Sequence, residues 1–199
     1  MNILLTLLLI VTNESPRDQK RVGGGCDGCE LMYIGMPAAI APVDTSPGWR
    51  EGGIKLMVRG TVYESDGKTP APGVIVYYYH TDKKGLYSPA VTQTDRSRRH
   101  GHIRGWVKTD KNGEYWIYTS RPNPYPDRNI PAHIHLIVKE PRVNEYYIDE
   151  ILFADDTRLT KGSKYEERGG SGIVTVSESG GLASCRRDII LGKNIPNYR

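Results

Sequence analysis

From Lys55 onward the chain is a succession of short β-forming runs, each closed by turn residues, and almost none of it has helical periodicity. Such a chain can bury its apolar faces only by stacking sheets or by closing one on itself. IKLMVRGTVYES is followed by Asp66-Gly67, by Pro70 and Pro72, and then by the apolar run GVIVYYYHT. In WVKTD-KNG-EYWIYTS, Asn112-Gly113 separates two alternating runs, which predicts a hairpin. Further strands are expected at AHIHLIVKE, YYIDEILF, GIVTVSE and near RRDIILG, and a weak turn of helix around 160–168. The expected fold is therefore all-β: a β-sandwich of mixed or antiparallel sheets. The stretches 82–102 and 119–131 are longer than ordinary connections, and ordered loops of that length tend to be functional.

At 199 residues the chain has length for one substantial core, whereas two ordinary domains would each be small. The expected organisation is a leader over 1–20, an N-terminal arm over 21–50 and the sandwich over 51–199. MNILLTLLLIV is too short to span a bilayer and gives way at once to TNESPRDQK, the pattern of a secretory h-region. A basic n-region and a small-x-small site before Ser15 are missing. A truncated start, a lipoprotein-type leader ending before Cys26, and a buried strand or helix are the other readings. No other apolar stretch approaches spanning length. The expectation is a secreted or periplasmic protein, lipid-anchored on the lipoprotein reading, with no membrane span; a homo-oligomer is allowed. A net charge of +4, with Lys and Arg interleaved with acids, is too dispersed for a nucleic-acid footprint. The run Arg96, Arg98, Arg99 reads as a solvated loop before it reads as an anion-steering patch.

Cys26 and Cys29 have the spacing of half a zinc site, but no second pair or nearby His completes it. In an exported protein a bridge from one of them to Cys185 is expected, and it would pin the arm to the C-terminal segment. A redox-active pair is the lesser alternative, because Gly23, Gly24 and Gly25 suggest a loop rather than a helix N-terminus.

The densest chemistry lies in RPNPYPDRNIPAHIHLIVKEP. If Ala132 to Val138 is a strand, His133 and His135 project to one face and make half of a metal site. Pro131 suits the first position of that strand. Two further elements stand apart from it, Gly85-Leu86-Tyr87 and Pro124-Tyr125-Pro126. A phenol with a reference pKa of roughly 10 becomes a ligand at neutral pH only beside a strong Lewis acid, and ferric iron is one. Against this stands the number of tyrosines, 13, most of which serve packing in any fold. His100 and His102 offer a competing four-histidine zinc or copper site with His133 and His135, or they flank the cleft; His80 reads as a satisfied edge residue. Of Tyr77, Tyr78 and Tyr79, alternation should send about half inward.

The order Gly-x-Tyr, TDKNGEYWIYT, Pro-Tyr-Pro and PAHIH resembles the intradiol ring-cleaving dioxygenases, which include the protocatechuate and catechol enzymes. The resemblance runs from Lys55 to Phe153, and its most specific piece is PAHIH shortly after PYP, with Arg104-Gly105 and Thr109-Asp110 ahead. It implies one Fe(3+) held by Tyr87, Tyr125, His133 and His135. It further implies O2-dependent cleavage of a catechol-type small aromatic between its two hydroxyls, giving a cis,cis-muconate-type diacid, with Tyr125 as the base for substrate. Two positions depart from the family pattern: Ile130 stands where an arginine whose charge stabilises the developing carbanion usually precedes PAHIH, so that Arg128, two residues earlier, is the catalytic candidate expected to reach the same space from the loop, and Glu150 stands where a Gln is common. An iron-binding relative with lost or altered activity is thus an alternative. VRGTVYESDGKTPAPGVIVYYYH with TDKNGEYWIY also resembles prealbumin-like β-sandwich binding modules, which lack the Tyr, Tyr, His, His set.

Overall fold

The computed structural model describes residues 21–160 and 165–198. The leader expected at 1–20 and residues 161–164 of the expected helical turn lie outside that range, and 165–168 is irregular rather than helical. Eleven strands are described: β1 (Val43–Thr45), β2 (Lys55–Tyr63), β3 (Ile75–His80), β4 (Arg104–Lys108), β5 (Glu114–Ser120), β6 (His133–Lys139), β7 (Tyr146–Phe153), β8 (Ile173–Val174), β9 (Ser177–Ser179), β10 (Leu182–Arg186) and β11 (Ile189–Ile190). One sheet runs β1-β5-β2-β10-β9, with β11 also on β2; the other runs β4-β3-β6-β7-β8. Both are mixed, since β1 on β5, β10 on β2 and β8 on β7 are parallel while the central pairs are antiparallel. Among the described residues no helix is long and apolar enough to cross a membrane.

Strand alternation builds the core. Leu56, Val58 and Val62 of β2 and Tyr115 and Ile117 of β5 meet Val76 and Tyr78 of β3 and Ile134, Leu136 and Val138 of β6 in one buried cluster. Each such side chain contributes about 1.5–3 kcal/mol by leaving water. The Asn112-Gly113 turn differs from expectation. β4 lies in one sheet and β5 in the other, so the turn is a corner between sheets rather than a hairpin. Its loop is tied by Asp110, whose carboxylate accepts from the backbone N–H groups of Asn112 and Glu114.

The opposite face of β3 and β6 carries Tyr77, Tyr79, His133, His135 and Ile137, and the arm covers part of it. A 3-10 turn at Cys29–Tyr33 buries Leu31 and Met32 completely. Trp106 Nε1 donates to Met32 O at 2.8 Å and the Arg104 guanidinium to Ile34 O at 2.8 Å. Farther along, β1 joins the first sheet, so the arm is woven into the fold.

The cysteine expectation is corrected here. Cys26 bridges Cys29, with Cα atoms 5.6 Å apart, and Cys185 is a free, buried thiol. Cys29 packs with Met32, Tyr77 and Ile137 outside the second sheet, whereas Cys185 on β10 points into the main core. A sheet stands between them, so no bridge to Cys185 forms.

Candidate metal centre

His133 and His135 share the outer face of β6 because strand side chains alternate, and their rings sit edge to face with centroids 4.6 Å apart. Each has one nitrogen committed away from the centre. His133 Nδ1 lies 2.7 Å from Pro131 O, and a carbonyl only accepts, so the proton is on Nδ1 and Nε2 presents a lone pair. His135 Nδ1 faces Glu150 Oε1 at 3.3 Å, which favours the same tautomer. Glu150 reaches that place through a bulge: Ile134 pairs Ile151 and Leu136 pairs Ile148, so Asp149 and Glu150 together oppose His135. Burial pushes Glu150 up, but the hydrogen bond and charge of His135 outweigh it and its carboxyl ends below the usual range.

Tyr87 arrives on a loop organised by one carboxylate. Asp82 accepts from Lys84 N at 2.8 Å, Leu86 N at 3.2 Å and Ser88 Oγ at 2.6 Å. That loop is laced to the turn carrying Tyr125, because Thr81 Oγ1 donates to Asn123 O and Asn123 Nδ2 donates to Lys83 O, both at 2.6 Å. The two pieces touch at Gly85, which has φ +75° and whose missing Cβ would lie 2.2 Å from Pro124 O. Gly85→Ala is therefore expected to push the tyrosine loops apart and to destabilise the protein by about 1–3 kcal/mol. Thermal melting and metal stoichiometry check this, and an unchanged melt would contradict it.

The Asp82 carboxylate also sets a pH dependence. Burial raises its pKa, but the Ser88 hydroxyl and the two backbone donors outweigh burial and hold it below the usual aspartate value. A depressed folded-state pKa means that its stabilisation is present above the unfolded-state pKa and is lost as pH falls through the folded value. The difference in Tm between wild type and Asp82→Asn should accordingly be large near neutrality and shrink below about pH 4. A constant difference across that window would show that the carboxylate charge does not organise the loop.

The four side chains converge. His135 Nε2 is 2.8 Å from Tyr87 Oη, Tyr87 Oη is 2.8 Å from Tyr125 Oη, and Tyr125 Oη is 3.2 Å from His133 Nε2. Two donors each about 2 Å from a first-row metal lie roughly 2.8–3.3 Å apart at right to tetrahedral angles. The observed spacing thus suits a single ion accepting two nitrogens and two phenol oxygens. Without an ion, burial and the neighbouring Tyr125 hydroxyl raise the Tyr87 pKa far above the ordinary phenol value. A phenolate at Tyr87 consequently needs a strong Lewis acid. Burial, then the charge of His135, lower the His133 pKa and keep its imidazole neutral, the form that ligates.

The competing histidine cluster does not assemble. Among the described residues no three His, Cys, Asp or Glu side chains group as metal ligands. His102 turns away to Glu51 Oε1 and to the Ser88 carbonyl. His100 stacks on Tyr79 at 3.7 Å with Nδ1 at Tyr77 Oη, and burial pushes its pKa down to about 3. His80 is buried at the last position of β3, one strand in from the sheet edge, with both nitrogens bonded, to Thr81 O and Thr119 Oγ1, so it is a satisfied residue that ends its strand. The run Arg96–His100 is a 3-10 turn, not a free loop, and Arg96 and Arg99 bind Glu30 and Asp27 of the arm. Arg128 is exposed, with its guanidinium 5.8 Å from the Tyr125 ring centre, and Ile130 in the same loop is exposed as well.

Sequence reasoning passed over Tyr79, which pairs with His135 across the ladder and stacks on it at 4.5 Å. Alternation within Tyr77, Tyr78 and Tyr79 was the available signal. It missed Asp82 and Asn123 as well, where the only sign was an Asp opening a long loop.

A family model described as dioxygenase matches residues 35–165, well over half of the chain. The chain belongs to the intradiol dioxygenase family. It is 31% identical to catechol 1,2-dioxygenase of Acinetobacter baylyi over 54% of this chain and 39% of that protein. It is 29% identical to chlorocatechol 1,2-dioxygenase of Pseudomonas putida over 51% of this chain and 45% of that one. The matched stretch thus spans less than half the length of either relative. The dioxygenase domain of a carbohydrate-binding fusion from Streptomyces sp. SirexAA-E superposes with a TM-score of 0.60 at 21% identity, over 78% of this chain and 91% of that domain. The 3-chlorocatechol 1,2-dioxygenase of Rhodococcus opacus gives 0.58 at 22% identity, over 79% and 69%. These two carry the fold, and the intradiol sandwich is the architecture seen here. The family match falls on the intradiol side of the choice against prealbumin-like modules.

Proposed function

We propose that this chain binds one ferric ion through Tyr87, Tyr125, His133 and His135 and cleaves a catechol-type ring between its hydroxyls with O2, giving a cis,cis-muconate-type diacid. The observation that carries this reading is the convergence of Nε2, Oη, Oη and Nε2 within 2.8–3.2 Å of one another along a continuous path. Ferric iron, when bound, supplies Lewis acidity and the electronic chemistry of oxygen insertion.

The protein's own groups supply position and proton handling. Tyr125 sits on the Pro-Tyr-Pro turn between β5 and β6, and its Oη, 2.8 Å from Tyr87 Oη and 3.2 Å from His133 Nε2, is the atom that takes a proton from a catechol hydroxyl. Tyr87, held by the Asp82 loop, stays in place. Glu150 and the Pro131 carbonyl keep both imidazoles turned with Nε2 inward. Arg128, over the Tyr125 ring, places positive charge beside the phenol that changes protonation. The Cys26–Cys29 bridge supports export to an oxidising compartment, secreted or periplasmic.

The test is direct. Iron-loaded protein should be red to brown through phenolate-to-iron charge transfer, its band should shift with catechols, and oxygen uptake should follow. A colourless protein that takes up no iron refutes the reading. A coloured protein inert toward a panel of catechols would identify a relative in which Ile130 and Glu150 have removed turnover.

A further inference from the structure

β6 begins at His133, whose ladder partner is Leu152, so the peptide unit joining Pro131 to Ala132 lies just outside the sheet. Ala132 is buried, and a buried amide N–H needs an acceptor. It finds one in Asp156, on the turn that follows β7: Ala132 N donates to Asp156 Oδ2 at 2.8 Å. The other end of the same peptide unit is occupied too, because the Pro131 carbonyl accepts from His133 Nδ1 at 2.7 Å. One rigid, planar group thus stands between a carboxylate and a candidate ligand.

Asp156 is itself held. Its backbone N–H donates to Phe153 O at 2.9 Å, its carbonyl accepts from Leu159 N at 3.0 Å, and its Oδ1 accepts from Arg158 N at 2.9 Å, which leaves Oδ2 aimed at Ala132. The neighbouring acid has a different partner. Asp155 takes Arg121 in two hydrogen bonds, at 2.7 and 2.8 Å, and ties down the other end of the loop that carries Tyr125. Both candidate imidazoles are therefore backed by an acid from β7 or the turn after it: His135 directly by Glu150, His133 through one peptide unit by Asp156. Hydrogen bonds in series polarise one another, by roughly 10–30% per bond, so charge at Oδ2 makes the Pro131 carbonyl a stronger acceptor. A stronger acceptor at Nδ1 makes Nε2 the better electron donor.

We infer that Asp156 is a positioning residue for His133, acting through the Pro131–Ala132 peptide: its carboxylate holds that peptide in the orientation that fixes the proton on Nδ1, and its charge strengthens Nε2 as a donor to the metal. This inference rests on the reading of His133 as a ligand, and adds to it the group that sets how strongly His133 donates.

The experiment compares the full wild-type chain with Asp156→Asn, Asp156→Ala and Asp155→Asn. In metal-free protein, nitrogen NMR resonances of the His133 ring report which nitrogen carries the proton. In iron-loaded protein, the charge-transfer band and competition with a chelator report donor strength and affinity. Asp156→Ala should move part of the proton population from Nδ1 to Nε2 and shift the band to longer wavelength as the iron becomes more Lewis acidic. It should also weaken iron binding about tenfold, the lower end of the range for groups that orient a ligand. Asp156→Asn keeps an oxygen able to accept from Ala132 but carries no charge, and should fall between Asp156→Ala and wild type. Asp155→Asn loosens the same loop through Arg121 and should lower the Tm while leaving tautomer, band and affinity at wild-type values. If the Asp156 variants lose Tm with tautomer and band unmoved, or if Asp155→Asn moves the band as far as they do, the turn merely docks the loop and the inference is overturned. A wild type that takes up no iron would end the proposed function by itself. The tautomer measurement needs no metal, and in that case it alone decides whether Asp156 sets His133.

Discussion

His133→Ala protein is expected to leave purification without iron, while Tyr125→Phe should retain part of it with an altered colour. His133 contributes a nitrogen whose tautomer is fixed by the Pro131 carbonyl. Loss of partners that merely orient a ligand costs 10–100-fold in metal affinity, so loss of the ligand itself should cost about 100-fold or more. The imidazole lies on the outer face of β6 and not in the main core, so the Tm of the metal-free protein should fall by only a few degrees. Tyr125 differs because Phe keeps the ring under Arg128 while removing one phenol oxygen, leaving three donors and one charge-transfer partner. Metal analysis and visible spectra decide the matter. Full iron in the His133 variant would remove that residue from the ligand set.

Arg187→Ala should be the most destabilising substitution away from the centre, by about 4 kcal/mol. Only 1% of Arg187 is exposed, and among the described residues it forms no ion pair with a carboxylate: its guanidinium donates to the carbonyls of Asp188 at 2.6 Å, Gly169 at 3.1 Å and Asp149 at 3.4 Å. Burial lowers its pKa accordingly. Truncation removes the guanidinium donor from all three carbonyls, leaving Gly169 O with the Ile190 N–H alone, and opens a cavity behind them. Because Asp149 is in the β7 bulge that aims Glu150, the loss should also weaken metal retention. Denaturant melts of both metal-free proteins test the first point, and a difference below about 1 kcal/mol would show that water replaces the guanidinium without cost.

Much of the architecture was legible because strand periodicity is local. The runs at β2, β3, β5, β6 and β7 could each be placed from alternation and turn residues alone. The joining of strands into sheets could not: Asn112-Gly113 has the sequence of a hairpin turn, yet the sandwich places β4 and β5 in different sheets. The cysteine partner was hidden for the same reason, since only the sheet between Cys29 and Cys185 forbids their bridge. At the centre, Tyr87, Tyr125, His133 and His135 were readable as residue types in a familiar order. The devices that bring them together are hydrogen bonds to backbone from Asp82, Thr81 and Asn123, side chains too common in loops to be singled out beforehand. Glu150 was visible as a departure, but its role in holding His135 depends on a bulge that no periodicity announces.

The claim on which the rest stands is that four side chains from two loops and one strand share a single iron. Diffraction from crystals of the iron-loaded protein, recorded on either side of the iron absorption edge, tests it most directly. The account predicts one anomalous peak within about 2.3 Å of Tyr87 Oη, Tyr125 Oη, His133 Nε2 and His135 Nε2 together. A peak at any other set of side chains, or none in protein soaked with excess ferric ion, would contradict it.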